Sequence, residues 1–305
     1  MTHPHVTDKH PGELADVPGW FPPLDQMLFT WFLERQHKQG THGDLLELGV
    51  YMGKSAILLG RHLRPGETFT VCDLFEGEAP DGANQAETAK SYSSLTRQAF
   101  ERNYLSFHDT LPKVIAAPSS VVAEKVAPDT CRFVHIDASH LYEHVHGDIG
   151  AAHDILLPDG IVVLDDFRSE HTPGVSVAAW EAVLNRGLRP VCLSTQKLYG
   201  TWGDPEPLQE DLLEMLRRRT DVGLSVQEAA GHRLIRTRSR GMKPPPFPTS
   251  RHYVAPVPAP APAETAEPRA ARPARPAPSR ARRLARDLLP PLVTRAVRRA
   301  RASRA

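Results

Sequence analysis

Residues 44–73 read DLLELGVYMGKSAILLGRHLRPGETFTVCD, and this stretch decides the fold of the chain. It begins with a short apolar run at residues 44–48, which predicts a strand, and it continues with a helical apolar pattern at residues 54–63. A β-branched run at residues 67–73 predicts the next strand. A strand, a helix and a strand in this order form a βαβ unit, in which the two strands are parallel.

The same alternation continues to about residue 238. Further strands are predicted at residues 112–116, 131–137, 160–165, 190–194, 198–202 and 232–238, and helices at residues 94–105, 142–156, 175–185 and 208–219. Runs such as IVVL at residues 161–164 are apolar at consecutive positions, as expected for strands that are buried on both faces. We therefore expect a Rossmann-like, doubly wound and mostly parallel α/β sheet, with one of the last strands antiparallel at an edge.

Composition divides the chain into three parts. Residues 1–40 are predicted to form an N-terminal arm and a cap helix, and residues 41–242 form the α/β domain. Residues 243–305 are rich in Pro, Ala and Arg, which predicts a disordered tail because such a segment buries too little apolar surface to fold. The end of this tail has the pattern of short basic amphipathic helices.

The net charge of +1 hides an uneven distribution. The tail has 14 Lys and Arg residues against 3 Asp and Glu, whereas residues 1–242 have 23 against 33. An acidic body argues against nucleic acid as its ligand, because phosphate contacts need clustered basic side chains. For the tail, the alternatives are a solubilising extension, weak contact with an anionic membrane surface, and binding to nucleic acid or a partner protein.

Other features narrow the class of protein. No apolar run approaches the ~20 residues that span a bilayer, and residues 1–16 lack the apolar segment of a secretory signal. Cys72, Cys131 and Cys192 lie far apart in apolar runs, which excludes a disulfide framework and a CxxC-type zinc site. These observations predict a cytoplasmic protein with buried thiols.

The first two strands end in residues with chemical functions, at the edge where such sheets bind ligands. The first strand leads into ELGVYMGKS, in which Gly49 and Gly53 allow a tight turn close to a ligand. Asp73 ends the second strand, where a carboxylate can accept both hydroxyls of a ribose. Glu47 favours a positively charged ligand group over a pyrophosphate. A structural turn and a strand-end cap are the alternatives.

Together with two later motifs, these residues resemble class I S-adenosylmethionine (SAM) methyltransferases. HIDASHLYEHVHGDI and LLPDGIVVLDDF are similar to the IDGSHxYExVxxDI and LLxPGGxIVxDDF signatures of one branch, which includes the macrocin-type O-methyltransferases. Ala138 and Asp159 stand where that branch usually has glycine. The resemblance covers about residues 41–200. It implies SAM as the cofactor and a hydroxyl of a small molecule, of sugar or natural-product type, as the methyl acceptor.

The turn, the second strand and the resemblance give a set of expected cofactor contacts. One of Ser119 and Ser120 would touch the adenine by analogy with the family, or else cap a helix. Tyr51 would pack on the cofactor or in the core. The full set is Glu47, Gly49, Tyr51, Gly53, Ser55, Asp73, Ser119, Ser120 and Asp137.

Three carboxylates follow the next two strands. Asp137 ends one strand and Asp165 and Asp166 end the other, and neighbouring strand ends lie ~5 Å apart, so we expect these acids to converge. They would share a Mg²⁺ ion or else hydrogen-bond turns and solvent. His140 is predicted to take the proton of the acceptor hydroxyl, to bind the metal or to cap a helix. His171 is a second candidate base or a substrate contact.

Two other functions compete with a SAM-dependent O-methyltransferase. One is a non-catalytic scaffold on the same fold, docked by its basic tail, and the other is a hydroxylase-like relative that shares the sheet and the acids. The five acids at the strand ends favour the methyltransferase. The identity of the acceptor, O- against N-transfer and the oligomeric state stay open at this stage.

Overall fold

The computed structural model describes residues 9–79, 82–85 and 95–255. The strands of the described part are β1 Asp44–Leu48, β2 Phe69–Asp73, β3 Lys113–Ala116, β4 Cys131–Ile136, β5 Leu156–Leu164, β6 Arg189–Leu193, β7 Leu198–Thr201, β8 Val222–Ala229 and β9 His232–Ser239. The helices that pack on them are α1 Pro23–Lys38, α2 Lys54–Arg61, α3 Arg97–Phe107, α4 Val122–Lys125, α5 Tyr142–Ile155, α6 Pro173–Asn185 and α7 Glu206–Arg217.

All of these strands form one sheet, in the order β3-β2-β1-β4-β5-β7-β6-β9-β8. Strands β1 to β5 are parallel, and β1 lies between β2 and β4. The order reverses between β1 and β4, which is the switch point where such sheets bind ligands. The predicted doubly wound, mostly parallel sheet is confirmed.

The antiparallel strands differ from the prediction. Strand β7 lies inside the sheet, between β5 and β6, and is antiparallel to both. It is antiparallel to β6 because the short connection at residues 194–197 makes these two strands a hairpin. The antiparallel edge strand is instead β8, which pairs with β9 and was not predicted. Most of its residues are exposed, so β8 has no apolar run to reveal it.

Helices cover both faces of the sheet. Helices α1, α2, α3 and α7 contribute to one apolar core, and α4, α5 and α6 contribute to the other. In α1, Leu24, Leu28 and Phe32 are buried at a spacing of four residues, which places one face of the helix on the sheet. The predicted cap helix therefore lies over the same face as the side chains of alternate residues in β1, β4 and β5.

A buried arginine joins the elements at the amino ends of the strands. The Arg132 guanidinium is 1% exposed, and it donates to the Glu67 carboxylate at 2.8 Å and to the Gln36 side chain at 2.9 Å. Burial opposes ionisation of Glu67, but hydrogen bonds from Arg132 and Arg64 lower its pKa to about 2. This ion pair fixes the opposite end of the sheet from the expected site.

The C-terminal boundary of the body lies further along the chain than predicted. Residues 243–255, which were assigned to the tail, pack on the body: Ser250 N–H donates to the Gly12 carbonyl at 2.8 Å and Arg251 N–H to the Ser106 carbonyl at 3.1 Å. Phe247 packs edge-on against Phe107. Residues 256–305, with the predicted basic helices, lie outside the described residues. In the described part, no helix is both long enough and apolar enough to cross a membrane.

Candidate active site

The turn after β1 packs directly on the end of β4. Gly49 has a φ of +77°, and a Cβ at this position would lie 2.0 Å from the Asp137 carbonyl oxygen. Gly53, with a φ of +90°, precedes the first residue of α2. Glycine is therefore required at residue 49 both by the backbone conformation and by the close approach. This contact brings the predicted cofactor turn against the predicted catalytic loop.

Asp73 holds this turn in place. One of its carboxylate oxygens accepts hydrogen bonds from the N–H groups of Val50 at 2.7 Å and Tyr51 at 3.1 Å, and the other accepts one from Phe75 N–H at 2.8 Å. Burial raises the pKa of Asp73, and these backbone hydrogen bonds oppose the rise. Asp73 therefore acts as a cap at the end of β2, where its carboxylate binds backbone N–H groups of the adjacent turns. A carboxylate has about four acceptor sites, so this one retains capacity for a ribose hydroxyl.

Glu47 is fully buried at the base of the turn. Its Oε1 lies 2.7 Å from His135 Nδ1, whereas its Oε2 is buried with no hydrogen-bond partner among the described residues. A buried carboxylate oxygen without a partner is costly, and a ligand that brings a cationic N–H group would satisfy it. The residues at the turn therefore fit the ammonium group of an amino-acid ligand such as SAM.

The three predicted metal ligands do not form one group. Asp137 belongs to two sets of side chains whose ligand atoms lie within 4.8 Å of one another: one with His135 and Asp165, and one with His140 and Asp166. Burial raises the pKa of Asp137, and the positive charge of Lys197 acts in the opposite direction. The two sets lie on either side of Asp137 at the ends of β4 and β5.

The set with Asp165 already contains a cation. The fully buried Lys197 ammonium forms an ion pair with Asp165 Oδ2 and lies 3.5 Å from His135 Nε2. The other oxygen of Asp165 accepts the Asp166 N–H at 2.8 Å. Asp165 is therefore occupied by protein groups, which does not favour its predicted role as a metal ligand.

The set with His140 is closer to the surface. His140 Nε2 lies 3.6 Å from Asp166 Oδ2, and Ser169 Oγ donates to Asp166 Oδ1 at 2.6 Å. A small pocket at the ends of β4 and β5 is lined by Asp137, Ser139, His140 and Asp165. Carboxylates from two strands and an imidazole fit either a hard divalent ion or a proton acceptor at this position.

The remaining predicted residues are separate from this set. Ser55 is half-buried in the first turn of α2. Ser119, in the 3₁₀ turn after β3, donates to the side chain of Asp148 in α5, while Ser120 is exposed. His171 is exposed in the loop after Asp166 and is not a member of either set.

Three strand tips have unusual backbone conformations. Tyr51, Phe75 and Asp166 follow β1, β2 and β5, and their φ angles are +45°, +50° and +51°. Positive φ is uncommon outside glycine and is unfavourable for bulky side chains. Such conformations are concentrated where surrounding contacts hold a functional geometry in place. Tyr51 also stacks on the half-exposed Trp20, with ring centroids 5.7 Å apart.

Two buried residues of the site were not predicted. His135 interrupts the apolar run FVHI at residues 133–136, and this interruption was the available signal. Lys197 lies in the β6–β7 connection, where a lysine is normally exposed, so nothing in the sequence indicated that it is buried. Both face α1, because they alternate with residues of the other core.

Part of the chain is similar to a known protein family. Residues 46–167 match the family model described as a methyltransferase domain. The matched region extends from β1 to the loop after β5 and covers less than half of the chain. A search of curated proteins gave no significant match.

Solved structures with similarity to the chain include the three O-methyltransferases NovP, CalS11 and TomG. The structure of NovP is 19% identical, with 59% of this chain and 81% of that chain covered and a TM-score of 0.46. CalS11, a TDP-rhamnose 3'-O-methyltransferase of calicheamicin biosynthesis, is 19% identical, with the same coverage of 59% and 81% and a TM-score of 0.41. TomG from Streptomyces achromogenes, in complex with SAM, is 17% identical, with 71% and 77% covered and a TM-score of 0.32.

Proposed function

We propose that this protein transfers a methyl group from SAM to a hydroxyl oxygen of a small molecule. The observation that carries the proposal is the contact between two parts of the region that matches the methyltransferase model. The turn with the unsatisfied Glu47 oxygen packs, through Gly49, on the end of β4 that leads to His140 and Asp166. A cofactor over the first part and an acceptor beside the second would meet at this edge of the sheet.

The protein residues have distinct roles in this reaction. SAM supplies an electrophilic methyl group on its sulfonium. Glu47 would bind the ammonium of its amino-acid part, Asp73 its ribose and Ser119 or Ser120 its adenine. His140 would take the proton as the hydroxyl oxygen forms its bond to the methyl carbon and the carbon–sulfur bond breaks. Asp166, 3.6 Å away, would then stabilise the imidazolium. The products are S-adenosylhomocysteine, a methyl ether and a proton.

A divalent ion would fit beside the same base. Asp137 and Asp166 offer oxygen ligands of the kind that Mg²⁺ prefers. A cation at this position would lower the pKa of an acceptor hydroxyl. We expect turnover to fall on rigorous chelation with EDTA and to return with added Mg²⁺. Unchanged turnover after chelation would leave His140 as the sole activator of the hydroxyl.

Calorimetric titration with S-adenosylhomocysteine is the test of cofactor binding. We expect micromolar binding, and we expect Glu47→Gln to weaken it about 10-fold or more, because a charged hydrogen bond contributes roughly 1.5–3 kcal/mol. Asp204→Asn is the control, because it removes the charge of another carboxylate, one that accepts the Glu206 N–H at 3.1 Å at the start of α7. Absence of binding by the unmodified protein would refute the proposal.

Labelled SAM then distinguishes the competing functions. Incubation with a panel of hydroxylated sugars, phenols and polyketides should transfer label to an organic product. Binding without transfer to any acceptor, together with oxygen consumption, would favour a hydroxylase-like enzyme. A chain that neither binds the cofactor nor transfers label would be a scaffold on this fold.

A further inference from the structure

A lysine side chain lies where the sequence predicts a metal ion. His135, Asp137 and Asp165 present ligand atoms within 4.8 Å of one another, and two of these residues, His135 and Asp165, are buried. The Lys197 ammonium is in contact with two members of this set, Asp165 and His135. A buried group of carboxylates needs a compensating positive charge, and here the chain itself supplies one.

The surroundings of Lys197 hold its ammonium in place. The side chain is 1% exposed, and the Phe21 ring lies 5.9 Å from Nζ on the side of the N-terminal arm. Lys197 N–H also donates to the Ser194 side chain at 3.0 Å, which fixes the backbone of the β6–β7 connection. The lysine is therefore attached to the sheet at one end and paired with a carboxylate at the other.

We propose that Lys197 is a resident cation that fills the His135–Asp137–Asp165 set and closes it to divalent ions. A metal ion, where one binds, is then restricted to the Asp137–His140–Asp166 set. The sequence predicted one metal ion bound by three aspartates. The structure instead has two separate cation positions, and Asp137 belongs to both. One position is filled by the Lys197 side chain, and the other is left for chemistry at the pocket. The inference concerns cation occupancy and does not depend on which acceptor is methylated.

The test counts bound Mn²⁺ by electron paramagnetic resonance during titration with MnCl₂. We expect Lys197→Ala to bind one more ion per chain than the unmodified protein, because its truncation empties the buried set. The added ion should be lost in the double variant with Asp165→Asn. Lys197→Arg should bind the same number as the unmodified protein, because it keeps the positive charge. Lys113→Ala is the control, since Lys113 is an exposed lysine that donates to the Lys125 carbonyl at 3.0 Å.

Asp165→Asn alone gives a second, independent measurement. If Asp165 is held by Lys197, this substitution leaves the number of Mn²⁺ ions of the unmodified protein unchanged. If Asp165 is instead a metal ligand, the variant binds fewer ions or binds them 10-fold or more weakly, and the proposal is overturned. A folded Lys197→Ala protein with the ion count of the unmodified protein would overturn it as well.

The outcome stays decisive when truncation prevents folding. Lys197→Gln keeps a hydrogen-bond donor near Asp165 without the charge, and its near-ultraviolet circular dichroism reports whether the core is ordered. Recovery of order in either variant on addition of MnCl₂ supports the proposal, because the ion then replaces the ammonium. Failure of both variants to fold, with and without MnCl₂, counts against it.

Discussion

Proton transfer in the proposed reaction depends on His140. We expect His140→Ala to lower kcat by about 10²–10⁴-fold, the usual contribution of a positioned base. The affinity for S-adenosylhomocysteine should stay within 2-fold or so, since Glu47 and Asp73 are untouched. Steady-state kinetics with labelled SAM and calorimetry measure the two quantities.

The matched control is His153→Ala. His153 is another histidine near its own aspartate, with Nδ1 3.1 Å from Asp154 Oδ1, but it is exposed in the last turn of α5. Its removal should leave kcat unchanged. Equal activity of the two variants would show that a different group takes the proton.

Sequence reasoning predicted that side chains following neighbouring strands converge, but it did not predict the buried side chains next to them. Asp137, His140 and Asp166 were predictable because the ends of parallel strands share one edge of a sheet. Lys197 was not, because its burial depends on β7 lying inside the sheet, between β5 and β6. The occupied state of Asp165 could not be predicted for the same reason.

At the level of elements, the contact between the β1 turn and the end of β4 is set by one glycine. Gly49→Ala places a methyl group 2.0 Å from the Asp137 carbonyl oxygen, in addition to the strain of a positive φ. Gly66 also has a positive φ, +85°, but no atom lies within 4 Å of its Cβ position. The pair of variants therefore separates steric conflict from backbone strain.

We expect Gly66→Ala to lower the free energy of unfolding by about 1–2 kcal/mol, the cost of left-handed backbone for an L-residue. Gly49→Ala should lower it by at least about 2 kcal/mol more, because overpacking is added. Urea unfolding followed by circular dichroism measures both values. Similar losses for the two variants would mean that the β1 turn tolerates displacement from β4.

Asp148 of α5 accepts a hydrogen bond from Ser119 in the turn after β3. We expect the free energy of unfolding to depend on pH through this carboxylate. Burial raises the pKa of Asp148 to about 6, although the hydrogen bond from Ser119 opposes the rise. Between pH 4 and 6 the folded chain binds this proton and the unfolded chain releases it, so the stability contribution falls as pH rises through this window. Above about pH 6 the loss is complete.

Asp148→Asn should remove this dependence. Relative to the variant, the unmodified protein should lose roughly 2–3 kcal/mol of unfolding free energy between pH 4 and 7, at 1.36 kcal/mol per pKa unit. Urea unfolding at the two pH values gives the difference, and Asp204→Asn provides the baseline. Parallel curves for the unmodified and Asp148→Asn proteins would refute a raised pKa.

Most strands could be placed from the sequence, and one could not. The bounds of β1 to β4 were predicted within two residues, because apolar runs are separated there by glycine, proline or polar loops. Strand β8 reads as a polar segment, since only Val222 and Gly223 among its residues are buried. An edge strand is specified by pairing with its neighbour, which the pattern of one segment does not show.

For the whole molecule, the contacts of residues 243–255 predict different effects of two truncations. Removal of residues 256–305 should leave the thermal unfolding temperature unchanged. Removal of residues 243–305 should lower it by about 5 °C or more, because the Arg251, Ser250 and Phe247 contacts are lost and 1 kcal/mol is worth roughly 2–4 °C at this size. Calorimetry of the three proteins tests this, and equal temperatures would contradict it.

The two truncated proteins also test whether the tail binds an anionic membrane surface. Cosedimentation with anionic vesicles should decrease in both truncated proteins if the basic residues beyond 255 make the predicted membrane contact. The composition of residues 243–248 suggested disorder, because a segment rich in proline forms few internal hydrogen bonds. Its contacts come from Phe247, which packs on Phe107 of α3 and on Arg61 of α2, and composition alone does not reveal them.

The first and last described parts of the body lie side by side. The His10 and His252 rings stack with centroids 4.0 Å apart, close to the hydrogen bond between Ser250 and Gly12. The two ends of the described body are therefore close enough for a short linker to join them. A permuted gene that opens the chain between the exposed residues Ala230 and Gly231 should encode a protein with the same circular dichroism spectrum. The new termini would lie at the β8–β9 hairpin, at the edge of the sheet opposite β3. Fusion partners could then be attached at that edge.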